Sequence, residues 1–461
     1  MPKLSRRRFV AASAASAAGA AAPAWGATGP DAEIVVIGAG AAGIAAARRI
    51  ATTRARVIVL EATDRIGGRC ITDTTTFGVP YDRGAHWIHT PELSPVAVLA
   101  STVGLDVYPA PPAQKLRIGR RNAREIEMED YLSSVVRANR AILEAGRGRA
   151  DVSCAAALPK DLGDWQSTVE YVLGPFGCGK NLADVSAVDF SKSAERDVDA
   201  FCRQGFGTLV AKLGQGVPVQ LSNPVKAIDL SGRAYVEIRT ARGTITARAV
   251  IVTASTGVLL DNRIRFEPEL PRRYTDALQR LTLGSYDHIA LELPGNPLGL
   301  ARDEVVFEKS SSARTAAILA NVSGTTLCTV EVGGKFGREL SGQGGPAMVD
   351  FALEWLSGLY GSEVKKAVKR THATQWNKEP WALGAFSAAA PGGQPARVAL
   401  AEPFRDRLWF AGEAVHETLW GTVGGAWASG DRAATQALRK IGAVAEPPPE
   451  PQVTGGGRRR R

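Results

Sequence analysis

Glu33-Ile34-Val35-Val36-Ile37-Gly38-Ala39-Gly40-Ala41-Ala42-Gly43 carries a β-branched run straight into three glycines spaced G-x-G-x-x-G, and an Ala-rich stretch from Ile44 to Ile50 follows. That order predicts a strand, a tight turn and a helix. Gly38 supplies the turn, Gly40 lets the backbone approach a pyrophosphate, and Gly43 lets helix pack on strand. The helix N-terminus, with Ala42 in its opening, offers N–H groups to the phosphates. A lone fingerprint is weak evidence, but here a second strand, Val57 to Leu60, ends in Glu61 and Ala62. An acid at that spacing accepts from both ribose hydroxyls of a dinucleotide and argues against a 2′-phosphate, hence against NADP.

Directly after the acid comes Asp64-Arg65-Ile66-Gly67-Gly68-Arg69. Two glycines allow close backbone approach, and Arg69 can neutralise a diphosphate. At this point the chain resembles the flavin-containing amine oxidase family, which includes monoamine oxidases, polyamine oxidases and flavin histone demethylases. Members carry R-x-G-G-R here, with Gly68 and Arg69 in the positions that lie against pyrophosphate and flavin. The resemblance runs from about Asp31 to about Leu438 and is weakest between Pro109 and Val198. It continues through Gly84-Ala85-His86-Trp87-Ile88-His89, similar to the G-A-x-W-I-H segment beneath the flavin, and Gln204-Gly205-Phe206-Gly207-Thr208-Leu209, similar to the turn back into the cofactor domain. Val225 matches the residue whose backbone holds the adenine. Ala249 to Thr253 with Thr256-Gly257-Val258-Leu259 resembles a further family strand and turn. Ala411-Gly412-Glu413-Ala414 and Thr422-Val423-Gly424-Gly425-Ala426 resemble the closing FAD motif. There the resemblance gives Glu413 a ribityl hydroxyl and aims the helix opening at Thr422 toward flavin N1 and O2.

The resemblance implies FAD and an α/β fold: a Rossmann-type FAD-binding domain (31–109, 201–280, 396–442) interleaved with an α+β substrate-binding domain (110–200, 281–395), the amine oxidase-like two-domain fold. The expected reaction is oxidation of an amine, a polyamine or related primary or secondary amine, with O2 giving H2O2. Such chemistry needs positioning and exclusion of water more than reactive side chains. Gln375 to Ser387 resembles the family's W-x-x-D-P-x-x-x-G-S-Y-S, so Trp376, Trp381 and Phe386 are expected to line the flavin pocket. Ala385 stands where monoamine oxidases place the cysteine that bonds the flavin, which implies noncovalent FAD. Thr422 replaces a Tyr that forms one wall of an aromatic cage, leaving Phe386 as the other. His89 is placed to hydrogen-bond a substrate amine or a nearby water. The largest departure is Leu283-Gly284-Ser285-Tyr286-Asp287-His288-Ile289-Ala290-Leu291, where many members have a lysine bridged through water to flavin N5 and this chain has His288. A histidine accepts as well as donates; a lysine only donates.

An L-amino acid oxidase would need an Arg for the substrate carboxylate, with Arg120, Arg121 and Arg124 as candidates. An aromatic monoamine oxidase and an amine dehydrogenase with a protein electron acceptor are further alternatives. The formal charge of +10 sits largely at the ends, on Lys3, Arg6, Arg7, Arg8 and Arg458 to Arg461. No basic stripe interleaved with aromatics remains in the body, which argues against nucleic acid. Ser5-Arg6-Arg7-Arg8-Phe9-Val10 before an Ala-rich stretch ending near Ala24-Trp25-Gly26 reads as a twin-arginine signal peptide over 1–27. Its apolar part is too short for a stable membrane span. It predicts export by the twin-arginine translocation machinery to the periplasm. Cys70, Cys154, Cys178, Cys202 and Cys328 show no metal-ligand spacing, and no metal is expected. Residues 443–461 read as a disordered basic tail.

Overall fold

The β-branched run forms the strand Ala32–Ile37 in a computed structural model that describes residues 29–112, 114–193 and 198–445. The expected signal segment at 1–27, and the expected tail from 446 onward, lie outside the described residues. Ala32–Ile37 pairs in parallel with Val57–Leu60 on one side and Gly243–Val252 on the other. Five of its six residues are buried, which is the pattern of a strand covered on both faces. The helix that follows is Ala41–Ala51, so it opens inside the glycine fingerprint and ahead of Ile44. Gly38 makes the turn at φ +101°, and a Cβ on Gly43 would lie 1.9 Å from the Gly38 carbonyl oxygen. The second helix on this face is Val423–Lys440. It approaches closely because Gly430 has no side chain: a Cβ there would sit 2.0 Å from the Ala42 carbonyl oxygen.

Among the described residues this first sheet has eight strands. Their order is Val219–Gln220, Val57–Leu60, Ala32–Ile37, Gly243–Val252, Val236–Thr240, Val225–Asp229 and Arg265–Glu267, with Leu408–Phe410 also on Gly243–Val252. The second sheet runs Thr371–Ala373, Tyr286–Glu292, Leu327–Gly333, Ala317–Ala320, Glu304–Glu308, Gln114–Ile118 and Arg121–Asn122. The helix Gly345–Tyr360 covers it through Met348, Phe351, Trp355 and Leu356. Each such side chain contributes about 1.5–3 kcal/mol on full burial. A small sheet of Ile88–His89, Asp199–Cys202 and Val107–Pro109 lies where the chain passes between the two large sheets. No helix among the described residues is long and apolar enough to cross a membrane.

Candidate active site

The glycine fingerprint, the R-x-G-G-R segment and the Gly84-Ala85 segment are stacked backbone on backbone. The Gly67 N–H donates to the Ala39 carbonyl at 2.8 Å and the Ala85 N–H to the Arg69 carbonyl at 3.1 Å. A Cβ on Gly84 would lie 1.9 Å from the Arg69 carbonyl oxygen, so no other residue allows this approach. Gly40 is the N-cap of Ala41–Ala51 and no side chain caps that helix end. Among the described residues, chain neighbours aside, the only atom within 4 Å of a Cβ built on Gly40 is the Gly68 Cα, at 3.8 Å, and nothing lies within 4 Å of one on Gly412. Open glycine faces beside an uncapped helix N-terminus fit a pyrophosphate.

Arg69 reaches across this cradle, donating to the Ala385 carbonyl at 2.6 Å and to Glu413 at 3.0 Å. A cavity beside it is lined by Thr253, Ser255, Thr256, Gly412 and Glu413. Burial works to raise the Glu413 pKa, but Arg69, Ser387 and Arg397 outweigh it and hold the carboxylate below its usual range. Its oxygens already accept from Arg69, the Ser387 N–H and hydroxyl, and the Gly421 N–H. It therefore buttresses Arg69 and the 421 turn at the edge of the cradle. Glu61 accepts from the Ala39 N–H and from the Thr63 N–H and hydroxyl, each at 2.8 Å, which ties the acid to the turn of the glycine fingerprint. Ala62 follows it, and the loop before Val225 is tied to the same turn, the Asn223 N–H donating to the Glu61 carbonyl and the Ser222 N–H to the Thr63 carbonyl.

At the other end of the cradle a row of rings begins. Phe386 is packed between Gly179 and Gly421, whose added Cβ atoms would lie 3.2 and 3.1 Å from its ring. Its centroid is 6.0 Å from Tyr286, which is 6.3 Å from Phe176, which is 6.4 Å from Trp87. His89 stacks beyond Trp87, and its Nδ1 lies 2.7 Å from Asp199, so the sheet that joins the two halves orients it. His288 sits beside Tyr286 at 5.8 Å, buried, with Nδ1 on the Asp82 carbonyl. Asp82 also holds His86, carboxylate to Nδ1 at 2.9 Å, and His86 stacks on Phe201 at 4.6 Å.

Phe386, Trp87, His89 and His288 are thus brought together. Trp376 lies under the Gly84 segment, its Nε1–H on the Arg83 carbonyl, and acts as a floor to the cofactor side. Trp381 carries the Arg263 guanidinium 5.4 Å over its ring. The Thr422 hydroxyl caps the helix end ahead of Val423: it accepts from the Gly425 N–H and donates to the Leu419 carbonyl. Arg120, Arg121 and Arg124 are exposed, and the last two pair with Glu127. They make no carboxylate clamp. Sequence reasoning missed Tyr286, Phe176 and Glu331 as site residues. The one legible signal was Glu331, a single acid inside the apolar run Leu327–Gly333, all of which is buried.

The family model described as flavin containing amine oxidoreductase matches residues 41–438. Human lysine-specific histone demethylase 2 is 26% identical over 445 residues, 87% of this chain and 53% of that protein. The chain therefore spans about half the length of that relative. Probable polyamine oxidase 4 of Arabidopsis thaliana is 25% identical over 446 residues, 88% of this chain and 87% of that one. Among solved structures, cyclohexylamine oxidase from Brevibacterium oxydans superposes with a TM-score of 0.75 at 20% identity, covering 90% of this chain and 100% of that one. Putrescine oxidase bound to putrescine gives 0.74 at 18% identity, covering 88% and 99%. At those identities the structures establish the fold.

Proposed function

This chain belongs to the flavin-containing amine oxidoreductases, whose cofactor is FAD, and on that footing we propose that it oxidises a polyamine or related primary or secondary amine. When bound, FAD supplies the hydride acceptor and passes the electrons to O2, giving H2O2. The remaining work falls to the chain. Gly40, Gly68 and Arg69 hold the pyrophosphate, and the helix end at Thr422 presents its positive pole to the cofactor. The row Phe386, Tyr286, Phe176 and Trp87 binds the alkyl chain, excludes water and favours a cation over its faces. Hydride leaves only a neutral amine, and aliphatic amines are mostly protonated at neutral pH. His288 gives its Nδ1–H to the Asp82 carbonyl, which leaves Nε2 to accept the amine's proton.

The observation that carries this reading is the placement of His288 beside Tyr286 of the aromatic row, with Gly84-Ala85 starting two residues beyond its Asp82 partner. The exposed Arg120, Arg121 and Arg124 weigh against an amino acid substrate. Anaerobic bleaching of the flavin by a panel of amines, followed by aeration, tests the proposal. Bleaching by polyamines with fast recovery in air is expected. No bleaching by any amine would refute amine oxidation, and slow recovery would turn the reading to a dehydrogenase with a protein acceptor.

We further infer export to the periplasm by the twin-arginine machinery from Arg6 and Arg7, a route suited to a protein that folds around its cofactor first. Replacing both by Lys is expected to leave the protein in the cytoplasmic fraction.

A further inference from the structure

Glu331 is 1% exposed and stands opposite His288 in antiparallel register. Its carboxylate accepts the Tyr286 hydroxyl, and the Thr329 hydroxyl lies 3.5 Å away. Both partners are neutral. Two other buried acids are paired with a cation: Glu413 faces Arg69, and Asp189 faces Arg397. Glu331 has no lysine or arginine partner among the described residues. A carboxylate so placed keeps its charge at a heavy desolvation cost unless a cation joins it.

The groups around it point the same way. Glu331, Thr329, His288 and His86 line one cavity with Tyr81 and Leu319. With Nδ1–H donating to the Asp82 carboxylate, a neutral His86 carries its lone pair on Nε2, and that atom is buried without a partner. Burial, and then the Glu331 charge, raise the Tyr286 hydroxyl well above its ordinary pKa, which keeps it a donor to Glu331. The cavity is rich in acceptors and poor in free donors. Its complement is a cation with several N–H groups.

A carboxylate beside an amine favours the ammonium form. That would hinder an amine about to lose hydride and suits an amine that does not react. We propose that Glu331 is the specificity residue of this site, taking the non-reacting ammonium group of a substrate with two or more amines while the reacting amine faces His288. The proposal rests on the polyamine reading above and names the residue that makes the choice.

The test uses the FAD-loaded full chain and anaerobic stopped-flow reduction with a matched pair, 1,4-diaminobutane and 1-aminobutane. Wild type is expected to favour the diamine. Glu331→Gln keeps a partner for Tyr286 but removes the charge, and the diamine-to-monoamine ratio of reduction efficiency should fall about 100-fold, mostly in apparent Kd. Glu331→Asp should keep part of the preference, which separates charge from packing and guards against misfolding of the Gln variant. If wild type reduces equally with both amines, the polyamine reading is wrong. If wild type prefers the diamine and Glu331→Gln keeps that preference, the reading stands and the assignment to Glu331 is overturned. Equal loss on both amines in Glu331→Gln and Glu331→Asp also overturns it, since a structural role would act on both.

Discussion

His288 Nδ1 lies 3.2 Å from the main-chain oxygen of Asp82, across 206 residues of sequence. A carbonyl only accepts, so Nδ1 carries the hydrogen and the lone pair resides on Nε2. Asp82 is itself held by the Thr72 hydroxyl, the Phe206 and Gly207 N–H groups and His86, which makes it a firm support. His288→Lys restores the family residue but removes the acceptor, and the ascending limb of the pH profile for flavin reduction is expected to move upward. His288→Ala should slow reduction at neutral pH and lose less at high pH, where free amine is abundant. Stopped-flow reduction from about pH 6 to 10, near the amine range, decides the matter. If only reoxidation by O2 changes, His288 serves oxygen chemistry instead.

Glu61→Ala should weaken FAD binding far more than it slows the hydride step. It removes a charged acceptor from a ribose hydroxyl, at about 1.5–3 kcal/mol, and also frees the Ala39 N–H that it now holds at 2.8 Å. FAD titration of the apoprotein by fluorescence quenching, with reduction measured at saturating FAD, separates the two effects. An unchanged affinity would mean that the ribose does not sit at Glu61.

FAD is expected to be released by acid precipitation, leaving a colourless pellet. Ala385 offers no thiol, and all five cysteines are buried and unbonded to one another. Burial raises the Cys70 thiol, the nearest in sequence to Arg69, to about 12, so it is no ready nucleophile. Colour that survives washing of the pellet would show a covalent link made elsewhere.

The legible parts of this molecule are those whose geometry is local. Gly38, Gly43 and Glu61 act through the backbone of one strand–turn–helix–strand unit, and their spacing alone reports it. The stacking of Gly67 on Ala39 and Ala85 on Arg69 extends that unit, and the motifs that form it were legible while their backbone contact was not. The pairing of His288 with Asp82, and of Glu331 with Tyr286 and His288, depends on strand register between segments far apart, which no single stretch encodes. Competition for hydrogen bonds was equally hidden. Glu413 and Thr422 carry the expected residue types at the expected positions, and nothing in the sequence shows that Arg69, Ser387 and the helix end also bond their polar atoms. Arg120, Arg121 and Arg124 reach the surface because Arg121–Asn122 is the edge of its sheet.

Thermal stability is expected to fall as pH drops from about 8 to about 5.5, and His416 should account for part of the fall. Burial lowers its pKa, and Arg432 adds to the effect. The geometry explains why protonation is resisted: Nδ1 accepts the Thr418 N–H at 3.3 Å and the Leu419 N–H at 3.0 Å, and a proton there would face two donors. His372 is lowered in the same direction by burial and then by Arg83. For a group whose folded pKa lies below its unfolded value of 6.5, the unfolded chain takes the proton first. The stabilising contribution is therefore complete above about 6.5, is lost as pH falls below that value, and stops falling beneath the folded pKa. His416→Asn keeps an acceptor for both N–H groups and does not titrate. Its melting temperature should drop less than that of wild type between pH 8 and pH 5.5, a window above most carboxylate titration. Because residues 416–421 lead into the Thr422 cap, the same variant should retain FAD better at the acid end. Parallel melting curves for the two proteins across the window would show that His416 is not the source of the acid sensitivity.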